Sequence, residues 1–354
     1  MVKKILRKTI NKMKLLKQWY LTVYKGKGDR KLNYFTRLLY AFRGFSAKEY
    51  YWFDFEKNNY KDYISEFERI KSRSINGDYK IILDDKLLFE ETFYKYVRVP
   101  RNYAWIQNGV VYKLHEYDVN NDNLFEFLDN LKMSVLKWVL GSEGRGTYII
   151  NAIGNGQYLV NGEQMDKEGI NKLIRGCEQS ILCEYIKQSD FENEIYDGST
   201  NTLRIICAKK KNEPKARIIK AVQRIGNHNS KPIDNISAGG LASNIDLETG
   251  ELGVAIAKYG ELENRLKPYD NHPDSGSPIK GKKIPNWDSV KKEITDLTNR
   301  FPYLGFVAWD VLLTNEGICI IEGNASSGCG LFQLQHGIRS EELGDIYRSY
   351  GIMK

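Results

Sequence analysis

From Val135 onward the chain is a succession of short apolar runs, most of them paired with the next across a tight polar turn. This pattern confines the fold more than any other feature. Gly154-Asn155-Gly156 separates 147–153 from 157–160, and Asn-Gly turns of this kind close hairpins because their twist matches that of the flanking strands. A Lys-Lys-Lys-Asn-Glu-Pro turn separates 202–208 from 216–222, and Glu248-Thr249-Gly250 separates 241–245 from 252–257. Asn315-Glu316-Gly317 separates 305–313 from 317–322. Helical periodicity returns at 166–177 and 287–300, while 181–186 reads as a buried strand. Strands that pair with their sequence neighbours form antiparallel sheets, and helices set singly among them cover a face, so the expected fold class is α+β.

Upstream the texture is helical. Residues 31–75, rich in Tyr, Phe, Lys and Arg, read as helices; Asp84-Asp85 opens another at 87–90, and Val99-Pro100 ends it. The expected division is 1–75 as a basic, mainly helical extension, 76–130 as a connecting segment, 131–187 as a first subdomain and 188–354 as a second.

Charge is unevenly placed. Through Lys31 the chain carries eleven Lys or Arg against one acid, Asp29, whereas the remainder holds 42 basic and 44 acidic residues. Leu6, Ile10, Met13 and 16–20 recur at helical spacing among the lysines, which predicts a basic amphipathic helix. Such a helix can lie on anionic lipid, or pack its apolar stripe on its own protein and leave the lysines solvated. The sequence leaves both open. A nucleic-acid role is not expected, because aromatic interleaving is confined to Trp19, Tyr20 and Tyr24. No apolar run approaches membrane-spanning length, and the lysines recur too often for a secretory signal, so the expected location is the cytoplasm, with peripheral contact to anionic membrane through 1–31 as the consequence of the lipid reading alone. Cys177, Cys183, Cys207, Cys319 and Cys329 show no metal or disulfide spacing and read as buried apolar residues.

Three features carry chemistry. Asp310 and Glu322 interrupt two apolar strands of one hairpin, and Asn324 faces the same way as Glu322. Two carboxylates and an amide oxygen are the donors that magnesium takes when phosphate oxygens complete its shell. Lys137 sits inside an apolar strand just before a glycine-rich loop, Gly141-Ser142-Glu143-Gly144-Arg145-Gly146, and a lysine beside backbone N–H groups is one way to hold phosphates. The loop matches neither the P-loop nor the dinucleotide fingerprint. Finally, 181–186 ends in Glu184-Tyr185-Ile186, whose backbone and apolar walls suit an adenine ring.

In this order, Lys86, Lys137, the glycine-rich loop, Cys-Glu184-Tyr-Ile, Trp309-Asp310 and Glu322-Gly-Asn324 resemble the ATP-grasp superfamily. More narrowly, the chain resembles the sugar-transfer-associated ATP-grasp family of bacterial surface-polysaccharide genes over roughly 80–330, through Asn201-Thr-Leu-Arg204, Asp234-Asn235 with Gly239-Gly240, His272-Pro-Asp274-Ser-Gly, Ile284-Pro-Asn-Trp287 and Gly305-Phe-Val-Ala-Trp-Asp310. The resemblance implies two α+β subdomains that clamp ATP between antiparallel sheets. It implies that Lys86, Lys137, Gly141, Ser142, Gly144 and Gly146 hold the phosphates, that Glu184, Tyr185 and Ile186 frame adenine, and that Asp310, Glu322 and Asn324 hold Mg2+. Arg204, with Lys220 or Arg224, would face the γ-phosphate. Asn201, Asn235, Gly239, Gly240, His272 and Asp274 are the substrate candidates.

The implied activity is ATP-dependent ligation of a carboxylate, on a sugar or uronic acid, to an amine or amino acid through an acyl-phosphate. One alternative is a kinase that uses His272 or Asp274 as base, and another is a non-catalytic nucleotide-binding protein. The chain departs from the wider superfamily in offering a basic helical segment where an N-terminal α/β domain is usual, which leaves acceptor recognition open.

Overall fold

The computed structural model describes residues 2–26, 32–141, 146–258 and 266–354. Helix α1 (Val2–Gln18) continues as a π-helical stretch, Trp19–Tyr24, followed by α2 (Tyr34–Phe42), α3 (Ala47–Trp52) and α4 (Glu66–Ser72). The last two begin at reciprocal capping boxes, Ser46 with Glu49 and Ser65 with Glu68, which satisfy orphan N–H groups at each helix start. Two short helices follow, α5 (Ile81–Asp84) and α6 (Lys86–Phe93), and the Asp85 carboxylate caps α6 by accepting from the N–H groups of Leu87 and Leu88.

The first sheet contains β1 (Asn102–Gln107), β2 (Val110–Lys113), β3 (Met133–Trp138), β4 (Tyr148–Gly154), β5 (Gln157–Val160), β6 (Glu163–Asp166) and β7 (Ser180–Glu184). Helices α7 (Leu124–Leu131) and α8 (Lys167–Arg175) cover one face, burying Leu128, Ile170 and Ile174 against Leu136, Ile150 and Tyr158. The strand order is β2-β1-β7-β3-β4-β5-β6, and every pairing is antiparallel. The hairpin at 102–113 therefore belongs to this sheet, although it falls within the connecting segment expected from sequence. Its turn, Asn108-Gly109, has φ of 51° and 84°, the left-handed backbone that this dipeptide tolerates.

After α9 (Asp190–Ile195) comes the second sheet, with β8 (Thr202–Ala208), β9 (Arg217–Ile225), β10 (Leu241–Ile245), β11 (Leu252–Lys258), β12 (Leu266–Tyr269), β13 (Phe306–Thr314) and β14 (Gly317–Asn324), in the order β12-β11-β10-β9-β8-β13-β14. It is also wholly antiparallel. Helix α10 (Trp287–Asn299) packs on one face, where Ile294 and Leu297 meet Trp309, and the indole N–H donates to Thr298 Oγ1 at 2.9 Å. Helix α11 (Glu342–Ser349) packs on the other, where Tyr347 meets Phe306. Because both faces are covered, β13 is apolar almost throughout, which makes its single buried carboxylate conspicuous.

The N-terminal helices are fastened to this second sheet. Ile64 shares a core with Phe306 and Tyr347, and its backbone N–H and C=O are both bonded by the Gln333 amide, at 2.7 and 3.0 Å. Asn76 Oδ1 accepts from the N–H groups of Gly305 and Phe306, and Arg339 donates to both oxygens of Glu68 at 2.8 Å.

Candidate active site

The two sheets face one another across a cleft, and the linker after β7 forms its back. One wall presents Val135, Lys137 and Ile149; the other presents Asp310, Leu312 and Glu322. Along β3 the burial alternates, so Ser134 and Leu136 enter the core while Val135 and Lys137 share the cleft side. Glu184, Tyr185 and Ile186 line the back of the cleft. Ile186 is anchored among Leu312, Cys319 and Ile321, and Glu184 pairs with Arg98 at 3.2 Å while accepting from the N–H of Arg101. All five cysteines are free and buried; burial raises the Cys183 thiol, so it serves as apolar lining.

Lys86, the first residue of α6, reaches in beside Glu322, 4.0 Å away, and its Nζ donates to the Gly141 carbonyl at 2.8 Å. Burial lowers its pKa against the opposing pull of Glu322. That bond holds one end of the glycine-rich loop over the cleft. At the other end Gly146 has φ of 66°, and a Cβ there would stand 2.3 Å from the Trp138 ring, so only glycine fits. Ser142 and Gly144 lie outside the described residues.

At the opposite end of the cleft the register of the second sheet sets three charged residues in one row: Arg204 on β8, Asp310 on β13 and Glu322 on β14. Arg204 grips Asp310 bidentately through Nε and Nη2, and Arg224 on β9 donates to Asp310 Oδ2 at 3.0 Å. The other arm of Arg224 reaches Asp234 at 2.5 Å, which also accepts from Thr202 Oγ1 at 2.5 Å. Burial alone would push the Asp310 carboxyl up, but the two guanidiniums outweigh it and hold it below the usual carboxylate range. Glu322 has the reverse balance: burial and the charge of Asp310 raise it, against Lys86 and Arg204.

A cation placed at Glu322 would relieve both of those effects; the Asn324 amide stands beside it, its Nδ2 donating to Glu322 Oε1 at 3.5 Å, and would offer its oxygen to the cation. This donor set fits magnesium, with Asp310 shared between the metal and two arginines. Among the described residues no group of three His, Cys, Asp or Glu is placed to hold a metal.

Beyond this row the cleft opens into a second, polar cavity of about 480 Å³. The two spaces share Arg224, Asn235, Asp310 and Glu322. The outer wall is made by the N-terminal helices, through Lys48, Glu49, Trp52, Glu66, Arg69 and Arg73. None of these was singled out from sequence. Lys48 Nζ stands 3.9 Å from the Trp52 ring centre and 3.0 Å from Ser237 Oγ, while Glu66 pairs with Arg69 at 2.5 Å. Burial, reinforced by the charge of Glu66, pushes the Glu49 carboxyl up to about 8, so at neutral pH this wall is predominantly cationic.

Several expected substrate or catalytic residues lie elsewhere. Lys220 is on the same strand as Arg224 but four residues away, about 13 Å at the usual rise, and pairs instead with Glu341 at 2.5 Å. Asn201 is fully buried and spends its amide on the carbonyls of Glu192 and Tyr196, accepting in turn from Ser199 Oγ and the N–H of Gly226. His272 is buried against Tyr196; Nε2–H donates to the Gly226 carbonyl and Nδ1 accepts from the N–H groups of Asp274 and Ser275, which defines a neutral ring. Asp274 binds the backbone and ring of His228, both at 2.7 Å. These polar groups are consumed in holding loops. Gly239, at φ 106°, and Gly240, where a Cβ would meet the Asp234 carbonyl at 2.7 Å, shape the loop that carries Asp234 and Asn235 without lining either space. Asn235 alone of the substrate candidates reaches the junction.

Comparison with curated protein sequences gives no match. Among solved structures, the chain is similar to D-alanine–D-alanine ligase from Bacillus anthracis, at 13% identity and TM-score 0.36, covering 77% of this chain and 63% of that one. It is similar to the ATP-grasp ligase PsnB complexed with minimal precursor, at 13% identity and TM-score 0.40, covering 79% and 63%. A third, D-alanine–D-alanine ligase from Helicobacter pylori, matches at 10% identity and TM-score 0.42, covering 76% and 61%. The chain thus spans just over three fifths of the length of these structures. The model for sugar-transfer associated ATP-grasp proteins matches residues 68–345, and the chain belongs to that family.

Proposed function

We propose that the protein is an ATP- and Mg2+-dependent ligase that activates a carboxylate, on a sugar or uronic acid, as an acyl-phosphate and transfers it to an amine. The carrying observation is that Arg224, Asn235, Asp310 and Glu322 line both the cleft and the polar cavity beyond it, whose outer wall is cationic. A nucleotide in the cleft with adenine at Tyr185-Ile186 directs its γ-phosphate to those residues, and an acceptor carboxylate in the cavity meets it there. Bound Mg2+ would neutralise phosphate charge. Lys86 and Lys137 orient the phosphates, and Arg204 and Arg224 stabilise the charge on the transferring group.

The family's association with sugar transfer supports a saccharide acceptor, and surface polysaccharide synthesis at the cytoplasmic side is the corresponding setting. The kinase alternative lacks its base: His272 and Asp274 are engaged with Gly226 and His228, away from the row. The test is to supply ATP, Mg2+, a panel of uronic acids and a panel of amines, and to follow ADP, phosphate and product mass. Release of ADP with free phosphate only when acid and amine are both present is expected. Phosphate retained on a hydroxyl of the product would reverse the reading in favour of the kinase.

A further inference from the structure

The outer side of the N-terminal helices exposes a run of large apolar side chains. On α1 and its π-helical continuation, Leu15, Trp19 and Val23 turn inward and pack on Ala41 and Ile70. The alternate stripe faces solvent: Met13 is 65% exposed and Leu16 64%, with Ile10, Tyr20 and Leu21 beside them. Helix α2 repeats the arrangement. Phe35, Leu39 and Phe42, at i, i+4 and i+7, form one stripe in which Phe35 is 81% and Phe42 74% exposed. Trp19 is only half-buried, and its ring meets that of exposed Phe42 with centroids 5.8 Å apart, which sets the two stripes side by side. Scattered exposed apolar residues need no explanation, but a contiguous patch of aromatic and long aliphatic side chains does.

Charge selects the occupant. Exposed Lys12, Lys14, Lys17 and Lys25 flank the patch, and through Arg43 the chain carries thirteen Lys or Arg against one acid. A cationic rim around an apolar, aromatic face complements an anionic lipid headgroup layer above acyl chains, and no neutral or basic protein surface offers both. No described helix is long and apolar enough to cross a membrane, so the helices would lie in the interface.

We propose that α1, its π-helical continuation and α2 form a single docking face for anionic phospholipid bilayers, with Phe35, Leu39 and Phe42 inserted beside Met13 and Leu16. Docking stands independently of the ligase reading. Taken together with that reading it has a consequence for the acceptor, since Thr22 and Gly26, at the end of the same π-helical stretch, line the acceptor cavity. Docking sets the cavity against the headgroups, where a lipid-carried saccharide is presented.

The experiment is co-sedimentation of the full chain with vesicles of phosphatidylcholine alone or of equal parts phosphatidylcholine and phosphatidylglycerol. Binding to the anionic vesicles only is expected, weakening steeply at roughly 0.5 M salt, where screening shortens the reach of the lysines. The variant Phe35→Ser/Leu39→Ser/Phe42→Ser should bind at least about tenfold more weakly, and Met13→Ser/Leu16→Ser likewise. Both should keep the parent's melting temperature and nucleotide affinity, since these side chains touch little of the protein. Absence of binding to anionic vesicles, or equal binding by parent and variants, overturns the proposal. So does a lipid-free dimer that the substitutions dissociate, which would assign the face to a second copy of the chain.

Discussion

Asp310→Asn preserves shape and removes one charge from the centre of the site, and its cost follows from its neighbours. In the parent, two buried guanidiniums, Arg204 and Arg224, are balanced by Asp310 and Asp234. The substitution leaves both arginines sharing Asp234 and the more distant Glu322. Breaking a buried pair on one side costs about 3 to 5 kcal/mol. An unfolding entropy of roughly 2.1 cal/mol/K per residue over 354 residues gives about 0.74 kcal/mol/K, so the melting temperature should fall by about 4 to 7 °C. Thermal melts at neutral pH and low salt measure this. Adding Arg204→Gln restores one base, Arg224, to one acid, Asp234, and should recover at least half of the loss, a coupling that a double-mutant cycle isolates. A single variant melting within about 1 °C of the parent, or a double variant losing the sum of the two single losses, would refute the idea that charge balance holds this row together.

Further outcomes follow from the same geometry. Glu322→Gln should reduce ATP turnover by about a hundredfold or more without lowering the melting temperature, because burial and Asp310 already disfavour its charge; ADP release and thermal melts read the two effects. Lys86→Met should weaken binding of a non-hydrolysable ATP analogue by roughly ten- to a hundredfold in calorimetry, the loss of one charged hydrogen-bond donor to phosphate. His272 is held neutral, its pKa lowered by burial, so its contribution is present above the unfolded value of 6.5 and is lost as pH falls below it. Melts between pH 7 and 5 should show the parent losing more stability than His272→Gln, with nucleotide affinity unchanged. Burial raises Glu192 to about 8, so folding selects its protonated form, and that stability is lost as pH rises from 4.5 through 8. Glu192→Gln should therefore melt above the parent at pH 9 and lose that advantage in acid.

The hairpins β4–β5, β8–β9, β10–β11 and β13–β14 were legible because each carries its own turn, and two-residue alternation set Glu322 and Asn324 on one side of their strand, whereas β6 and β12, each four residues long, were not read as strands. Lys220, named through the family resemblance, shares the alternation of Arg224 but lies too far along β9. The hairpin of β1 and β2 carried an equally strong signal at Asn108-Gly109, yet its second strand is only four residues long and largely exposed. Asn201, His272 and Asp274 look like substrate residues because a polar side chain in a Gly-, Pro- and Ser-rich loop has the same local signature whether it meets a ligand or a backbone. The outer wall of the second cavity was out of reach. Trp52 and Arg69 meet Asn235, which the sequence did name, only through packing between segments more than 150 residues apart, and no local pattern encodes that meeting.

The fastening of the N-terminal helices by Gln333, Asn76 and Arg339 bears on how the chain comes off the ribosome. Ile64 cannot complete its backbone hydrogen bonds until Gln333 exists, 269 residues later. At roughly 5 to 20 residues per second that interval lasts about 13 to 54 seconds, during which Ile64 has neither its core partners Phe306 and Tyr347 nor its final bonds. Its own capping boxes at Ser46 and Ser65 can hold α3 and α4 in helical form meanwhile, but burial of Ile64 waits for the last strands and α11. The packing around Ile64 is thus among the last to be finished.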